Sequence, residues 1–217
     1  MDKKEISVFN EQTLDLIADA LREHGYIILP DSFNQMLLQD LQHRAQSLTP
    51  ENWQQAGVGR HEEYQQNKAI RSDIIHWISP DNPIEEAFLI CMENLRQGLN
   101  QRLFMGLFDY EGHFSIYAKG ANYQKHLDAL KGRSNRVLSQ ILYLNTDWQK
   151  ADAGELILYS EDGAKPLQTT LPELGTLVLF LSDKFPHEVI KARRSRYSLT
   201  GWFRVNNSHS RKIDPAI

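Results

Sequence analysis

The chain has 217 residues, a length typical of a single domain. Hydrophobic residues make up 41% of the chain and charged residues 24%, a composition that supplies a sizeable core and excludes wholesale disorder. The net charge of -4 excludes, for the chain as a whole, the basic character of nucleic-acid-binding proteins. No nucleic-acid partner is therefore expected.

The ends and apolar runs of the chain bear on its location. Residues 1–5 carry charges of both signs and lead into no apolar segment, which argues against a secretory signal. No apolar run approaches the roughly 20 residues that span a bilayer, so no membrane partner is expected. Cys91, the single cysteine, lies in an apolar stretch that predicts a buried thiol. These features predict a cytoplasmic protein.

Apolar residues at helical spacing predict three helices in the first half of the chain. The first covers residues 11–24, and a short apolar strand follows at 26–29. The pair Asp31-Ser32 is a candidate cap for the second helix. The third is long and covers residues 82–103, with proline at its first helical position.

The second half of the chain changes character. Its strand-like runs are separated by segments rich in turn residues, a spacing typical of an antiparallel sandwich or barrel. These runs cover residues 114–117, 137–144, 155–159, 175–181 and 197–203.

A long polar segment over residues 49–70 interrupts the helical half. It lacks periodicity and contains two glycines. Loops of this length inside a compact domain are either functional lids or disordered, and both readings stay open.

Three residues in the second half form a candidate metal site. His126 and Asp128 are two positions apart, so they share a face if they lie on a strand. His187 follows the apolar run 175–181, where a strand end can direct a side chain inward. Two histidines and one carboxylate form the facial triad of non-haem Fe(II) oxygenases, but a zinc hydrolase uses similar ligands.

Arg196 distinguishes between these two chemistries. It lies on a strand of otherwise apolar and aromatic residues, nine positions after His187. Burying a guanidinium there requires an anion, and its planar fork matches a carboxylate. Arg193 and Arg194 fall in the preceding turn and are interpreted as surface residues.

Longer motifs surround these positions. Residues 117–128 read YAKGANYQKHLD and residues 143–148 read YLNTDW, and both resemble the iron(II)- and 2-oxoglutarate-dependent dioxygenases of the prolyl 4-hydroxylase group. Residues 70–77 read IRSDIIHW and residues 182–189 read SDKFPHEV, which are similar to the hypoxia-inducible-factor prolyl hydroxylases and point to their bacterial relatives. The departure is Ser72, where that family has glycine.

The resemblance extends over roughly residues 70–205 and implies a cofactor and its ligands. It implies His126, Asp128 and His187 as the ligands of Fe(II). It further implies Arg196 as the partner of the C5 carboxylate of 2-oxoglutarate, with O2 as second co-substrate and ascorbate as a candidate reductant.

Further residues receive roles only through the resemblance. On the co-substrate side these are Tyr143, Tyr117 and Thr200. On the substrate side, around a prolyl peptide or its covering loop, they are Arg71, Asp73, Trp77, Tyr123, Arg136 and Trp202. Ordinary packing or structural ion pairs are open alternatives for most of them. His76 and His113 have no match and are predicted not to be ligands, and Leu156 is predicted to wall the pocket.

The resemblance also implies a fold, a double-stranded β-helix of the jelly-roll, cupin-like type, mainly β, with the N-terminal helices on the outer face of one sheet. We predict one dioxygenase domain over residues 1–217. Residues 1–110 form helical support and the substrate loop, residues 111–205 form the β-helix core with the iron site, and residues 206–217 form a tail.

The implied function is hydroxylation of proline C4 in a protein, coupled to decarboxylation of 2-oxoglutarate to succinate. A translation factor is a candidate partner. Two alternatives stay open, an oxygenase acting on a small molecule or another residue, and a non-catalytic cupin-like module that binds metal or ligand. The long loop and Trp77 favour a peptide, and the intact triad with Arg196 favours an enzyme.

Overall fold

The computed structural model describes residues 9–57, 71–129 and 134–206. These residues form three helices, α1 (Glu11–Glu23), α2 (Gln35–Ser47) and α3 (Pro83–Leu103). They also form eleven strands, β1 (Tyr26–Leu29), β2 (Gln54–Gln55), β3 (Ile74–Trp77), β4 (Leu107–Tyr117), β5 (Tyr123–His126), β6 (Arg136–Tyr143), β7 (Leu156–Tyr159), β8 (Pro166–Thr170), β9 (Leu177–Leu181), β10 (His187–Val189) and β11 (Arg196–Val205).

An asparagine caps each helix. In α2 the Asn34 side chain accepts a hydrogen bond from the Leu37 N–H at 2.8 Å. The predicted cap at Asp31-Ser32 is therefore wrong. Asp31 adopts a left-handed φ of 51°, and the Ser32 hydroxyl donates instead to the Gly175 carbonyl at 3.1 Å. Both residues belong to the turn that precedes the helix.

Two antiparallel sheets form the β part of the molecule. The major sheet has seven strands in the order β1-β9-β6-β11-β4-β3-β2, and the minor sheet has four in the order β5-β10-β7-β8. The predicted jelly-roll fold is confirmed. Among the residues described, no helix combines the length and apolarity needed to cross a bilayer.

The main core lies between the helices and the outer face of the major sheet. Leu14 and Ile17 of α1, Leu38 of α2 and Phe88 of α3 are all buried in it. They pack with major-sheet residues such as Phe203. Burial of this apolar surface stabilises the stack of helices on sheet, as the amphipathic spacing predicted.

A second, smaller core lies between the two sheets, and strand alternation determines what enters it. On β11, Leu199 and Phe203 face the helices, whereas Arg196, Ser198 and Thr200 line a cavity between the sheets. Successive side chains of a strand point to opposite faces, so a single strand supplies both the core and the site.

Several strands were not predicted because they are short or polar. β8 is an exposed edge strand that begins with proline, and β3, β5 and β10 are three or four residues long. The predicted strand at 114–117 is the end of the longer β4. Of the polar segment 49–70, residues 54–55 form β2, and residues 58–70 lie outside the described residues, as do 207–217 of the predicted tail.

Candidate active site

The three predicted metal ligands lie together between the sheets. His126 ends β5, His187 begins β10, and the two are opposite each other in this antiparallel pair. Asp128 Oδ1 lies 3.5 Å from His126 Nε2 and 3.7 Å from His187 Nε2. Within the described ranges, this is the one cluster of His, Cys, Asp or Glu side chains that could hold a metal ion.

His126 and Asp128 converge differently from the prediction. They do not share a strand face, because β5 ends at His126 and Asp128 follows in a bend. The shared-strand prediction was wrong since β5 is only four residues long. The bend and the pairing of β5 with β10 bring the three side chains together.

Backbone carbonyls orient the two imidazoles. His126 Nδ1 lies 2.8 Å from the Gln124 carbonyl, and His187 Nδ1 lies 3.0 Å from the Phe185 carbonyl. Because a carbonyl only accepts, each Nδ1 carries the proton and each Nε2 presents its lone pair. Burial, with His126 nearby, lowers the pKa of His187 to about 4. The ring is therefore neutral at pH 7, the form that binds metal.

A hydroxyl pair orients the carboxylate. Asp128 Oδ2 accepts a hydrogen bond from Ser139 Oγ at 2.6 Å, and Ser139 Oγ lies 2.9 Å from Ser182 Oγ. Burial favours the neutral carboxyl, but the surroundings of Asp128, including the hydrogen bond from the Ser139 hydroxyl, hold its pKa well below its usual range. Asp128 is therefore ionised, with Oδ1 toward the histidines.

This donor set fits one small cation. Two atoms bonded to the same metal ion at about 2.1 Å are at most about 4.2 Å apart. Both separations measured from Asp128 Oδ1 fall within that limit. Two imidazoles and one carboxylate suit Fe(II) and leave open positions for co-substrates, although the same ligands also bind zinc. The other residues of the cavity bear on the choice between Fe(II) and zinc.

Arg196 places an unpaired cation in the same cavity. It is 1% exposed and begins β11 opposite Tyr117. Its Nε has no hydrogen-bond partner, and no described carboxylate forms an ion pair with the guanidinium. A buried charge without a counter-ion is strongly unfavourable. The cavity therefore requires an anionic ligand, and a carboxylate matches the guanidinium fork.

Two tyrosines flank this cation. The Arg196 guanidinium carbon lies 5.0 Å from the Tyr117 ring centre and 4.9 Å from that of Tyr143. The buried Tyr143 hydroxyl has no partner with hydrogen-bond geometry in the described part of the chain. Burial raises the pKa of both tyrosines, so both hydroxyls are protonated. Tyr117 and Thr200 line the cavity. Tyr143 does not line it but contacts Arg196, which does.

Residues from both sheets line the cavity. The metal-ligand candidates and Arg196 are all among them. The lining residues are Arg71, Ser115, Tyr117, Tyr123, His126, Asp128, Ile141, Leu156, His187, Val189, Arg196, Ser198, Thr200 and Trp202.

Three of the predicted substrate residues form one group. Arg71 donates to both carboxylate oxygens of Asp73, at 2.7 and 2.9 Å, and lies 4.9 Å from the Tyr123 ring centre. Tyr123 in turn stacks on His126, with ring centres 3.5 Å apart. Arg71 and Tyr123 line the cavity, whereas Asp73 is fully buried.

The other three form a second group. Arg136 lies over the Trp202 ring at 3.4 Å, and Trp202 lines the cavity. Trp77 is 42% exposed and packs edge-on against His113. His76 and His113 are outside the metal cluster. The substrate roles of all six residues stay predictions.

Sequence reasoning missed three serines of the site. Ser115 and Ser198 line the cavity, and Ser139 binds Asp128. The Ser198 hydroxyl is buried and has no hydrogen-bond partner within the residues that the structure describes. It lies two residues after Arg196 on the same strand face, so alternation along that strand would have indicated it.

Residues 112–204 match the 2OG-Fe(II) oxygenase superfamily. The crystal structure of a Pseudomonas putida prolyl-4-hydroxylase aligns with 89% of this chain and 100% of its own, at 36% identity and a TM-score of 0.80. The chain belongs to the 2OG-Fe(II) oxygenase superfamily, as its motifs predicted. Membership implies Fe(II), 2-oxoglutarate and O2.

Two further relatives are similar to this chain over nearly nine tenths of its length. A prolyl hydroxylase from Trichoplax adhaerens, solved with a hypoxia-inducible-factor peptide fragment, covers 89% of this chain and 90% of its own at 25% identity, with a TM-score of 0.79. Human Egl nine homolog 1 is 26% identical over 199 residues, which are 88% of this chain and 46% of that protein. The chain spans about half the length of the curated relatives it matches.

Proposed function

We propose that the chain is a prolyl 4-hydroxylase that acts on a proline in a peptide or protein. The observation that carries this proposal is the shared cavity, in which the cluster of His126, Asp128 and His187 is accompanied by the buried Arg196, which has no carboxylate partner among the described residues. A metal site alone would suit a hydrolase or a binding module. A second, carboxylate-binding cation beside it suits a dicarboxylate co-substrate.

Each of the main side chains of the site has a role in the proposed reaction. His126, Asp128 and His187 would hold Fe(II), and three protein ligands would leave positions on the ion for co-substrates. Arg196 binds the C5 carboxylate of 2-oxoglutarate, with Tyr143 and Tyr117 as hydroxyl donors. When bound, Fe(II) supplies the oxygen chemistry of the family, in which 2-oxoglutarate becomes succinate and CO2 as a C–H bond is hydroxylated. Leu156 and Val189 add apolar surface to the wall of the cavity.

The relatives support proline as the target. The Pseudomonas putida and Trichoplax adhaerens structures are both of prolyl hydroxylases, and the second was solved with a peptide fragment. The exposed Trp77 and the cavity-lining Trp202 add aromatic surface that suits a proline ring.

Finer points belong to the same proposal. Ascorbate is the proposed reductant, and a translation factor is the proposed protein partner. The single domain over residues 1–217 and the cytoplasmic location stay predictions.

The test is succinate formation by anaerobically iron-loaded protein when air is admitted. 2-Oxoglutarate is supplied with a panel of proline-containing peptides or a bacterial protein fraction. We expect succinate to rise with one of them, matched by the mass gain of one oxygen atom on proline. The Arg196→Gln variant should need a higher 2-oxoglutarate concentration for this activity, whereas Arg194→Gln, at an exposed neighbour, should behave like the wild type.

Two results would overturn the proposal. Succinate that rises only with small molecules would favour the small-molecule oxygenase. No succinate under any condition, despite bound iron and 2-oxoglutarate, would favour the binding module.

A further inference from the structure

A chain of charged side chains, three of them buried and one half-buried, runs along the major sheet beside the cavity. Arg204 donates to Asp109 at 2.8 Å and lies 3.3 Å from Glu111 Oε2. Glu111 Oε1 in turn accepts from Arg136 Nε at 2.9 Å and lies 2.8 Å from Arg136 Nη2. Glu111 therefore bridges two guanidinium groups, and two carboxylates balance the two cations.

This chain ends on Trp202. The Arg136 guanidinium carbon lies 3.4 Å from the centre of the Trp202 ring, a cation stacked on an indole. His113 contacts the same indole, with ring centres 5.5 Å apart. Trp202 is 4% exposed and lines the cavity. The indole is thus held by two neighbours at the wall of the site.

The Trp202 Nε1–H is buried and has no hydrogen-bond partner among the described residues. An unsatisfied buried donor is unfavourable, and the indole N–H can only donate. An acceptor on a bound molecule would satisfy it. The cations of this ionic chain are already paired with carboxylates, so the chain is not an anion-binding site like Arg196. It can instead fix the position of the Trp202 indole. The Nε and Nη2 atoms of Arg136 both contact Glu111 Oε1, and these two contacts restrain the guanidinium in its place on the ring.

We propose that Glu111 is a positioning residue that acts through Arg136 to fix the indole of Trp202, and that the Trp202 Nε1–H donates a hydrogen bond to a carbonyl oxygen of the bound peptide. The second half of this inference rests on the proposed function, because it requires a peptide substrate. The first half concerns the protein alone and can be tested without any substrate.

Kinetics test the pair together. Glu111→Gln should raise the peptide KM about 5- to 10-fold, the scale of one hydrogen bond, while kcat and the KM for 2-oxoglutarate stay unchanged. Trp202→Phe, which lacks the N–H, should do the same. In the double variant, the Glu111 change should add nothing further, because both act through one contact. Fully additive losses, or a loss confined to kcat, would overturn the proposal.

A matched variant controls for the loss of an ion pair as such. Glu93→Gln also removes a carboxylate paired with an arginine, here Arg96 on the surface of α3. It should leave the peptide KM unchanged. An equal rise in Glu93→Gln would mean that the Glu111 effect is not local, which contradicts the proposal.

A spectroscopic measurement is independent of turnover. In the ¹⁵N-labelled, Zn(II)-loaded protein with 2-oxoglutarate, the indole resonance of Trp202 is identified by its loss in Trp202→Phe. It should shift in Glu111→Gln without any peptide, and shift again in the wild type when the peptide selected by turnover is added. An unmoved resonance in Glu111→Gln overturns the positioning role.

Two safeguards keep the outcome clear. Arg136→Lys retains a charge opposite Glu111 but not the planar stack, so it should give the same shift if Glu111→Gln does not fold. A wild type that hydroxylates no peptide would refute the proposed function, and the shift in Glu111→Gln would still report on the positioning of Trp202.

Discussion

Ser139 donates a hydrogen bond to Asp128 Oδ2 at 2.6 Å, on the side of the carboxylate away from the histidines. Ser139 lies on β6 of the major sheet, whereas Asp128 follows β5 of the minor sheet. The bond therefore connects the two sheets at the metal site. It fixes which carboxylate oxygen faces His126 and His187.

Loss of this hydroxyl should weaken metal binding. Ser139→Ala frees Asp128 to rotate, and removal of such an outer partner commonly lowers metal affinity about 10- to 100-fold. Titration with Mn(II) under anaerobic conditions measures the change. Ser160→Ala is a matched control, since Ser160 donates to Asp162 in an exposed turn and does not line the cavity. Unchanged affinity in Ser139→Ala would show that the carboxylate is held by other means.

Replacement of Arg196 should act on the co-substrate. A hydrogen bond to a charged group contributes about 1.5–3 kcal/mol, so Arg196→Gln should raise the 2-oxoglutarate KM roughly 10- to 100-fold. Metal affinity should be preserved, because Arg196 is not in the metal cluster. The measurement is succinate formation against 2-oxoglutarate concentration, beside a metal titration. An unaltered KM would place the co-substrate carboxylate elsewhere.

Stability should fall in acid partly through His113. Burial, with Arg71 and Arg136 nearby, lowers the pKa of His113 well below its usual range. The unfolded chain therefore binds this proton first, and stability that is complete above about pH 6.5 is lost as the pH falls toward the folded-state pKa, by at most about 1.4 kcal/mol per pH unit. His113→Phe should flatten the curve of Tm against pH in the metal-free protein. The control variant His24→Gln, which replaces an exposed histidine, should leave the curve of Tm against pH as it is in the wild type.

Gly201 should resist any side chain. It faces Gly112 across β11 and β4, and a Cβ there would lie 2.1 Å from the Tyr110 hydroxyl and 2.5 Å from the Glu111 carbonyl. Gly201→Ala should therefore destabilise the fold by about 1–3 kcal/mol, the usual scale of overpacking. Thermal unfolding gives the value. A Tm equal to that of the wild type would mean that β11 shifts without penalty.

Much of the fold follows from local patterns. The apolar spacing of α1 and α3 and the long apolar strands β6, β9 and β11 are visible in the sequence, because each buries one face or both. The shorter strands β5 and β10 are not, because their hydrogen bonds come from pairing with residues far away in the chain. The position of Asp128 is hidden in the sequence for the same reason, because the bend after β5 reaches the metal site only when β5 pairs with the distant β10.

The residues of the candidate site likewise divide into those that the sequence indicates and those that it does not. His187 and Arg196 could be picked out because each lies beside or on an apolar strand, where such a side chain needs a partner, and His126 by its spacing from Asp128. Glu111 and Arg204 could not, since charged residues on a strand are typical of a solvent-facing sheet. Only the structure shows that they are 6% and 4% exposed and paired with each other.

The central claim is that the metal cluster and Arg196 bind one 2-oxoglutarate molecule between them. Equilibrium dialysis of labelled 2-oxoglutarate, anaerobically, with and without Fe(II), tests it most directly. We predict one molecule bound per chain, with affinity that falls sharply when Fe(II) is omitted, in Asp128→Ala and in Arg196→Gln, but not in Arg194→Gln. Binding that is equally tight without metal and without Arg196 would contradict the account.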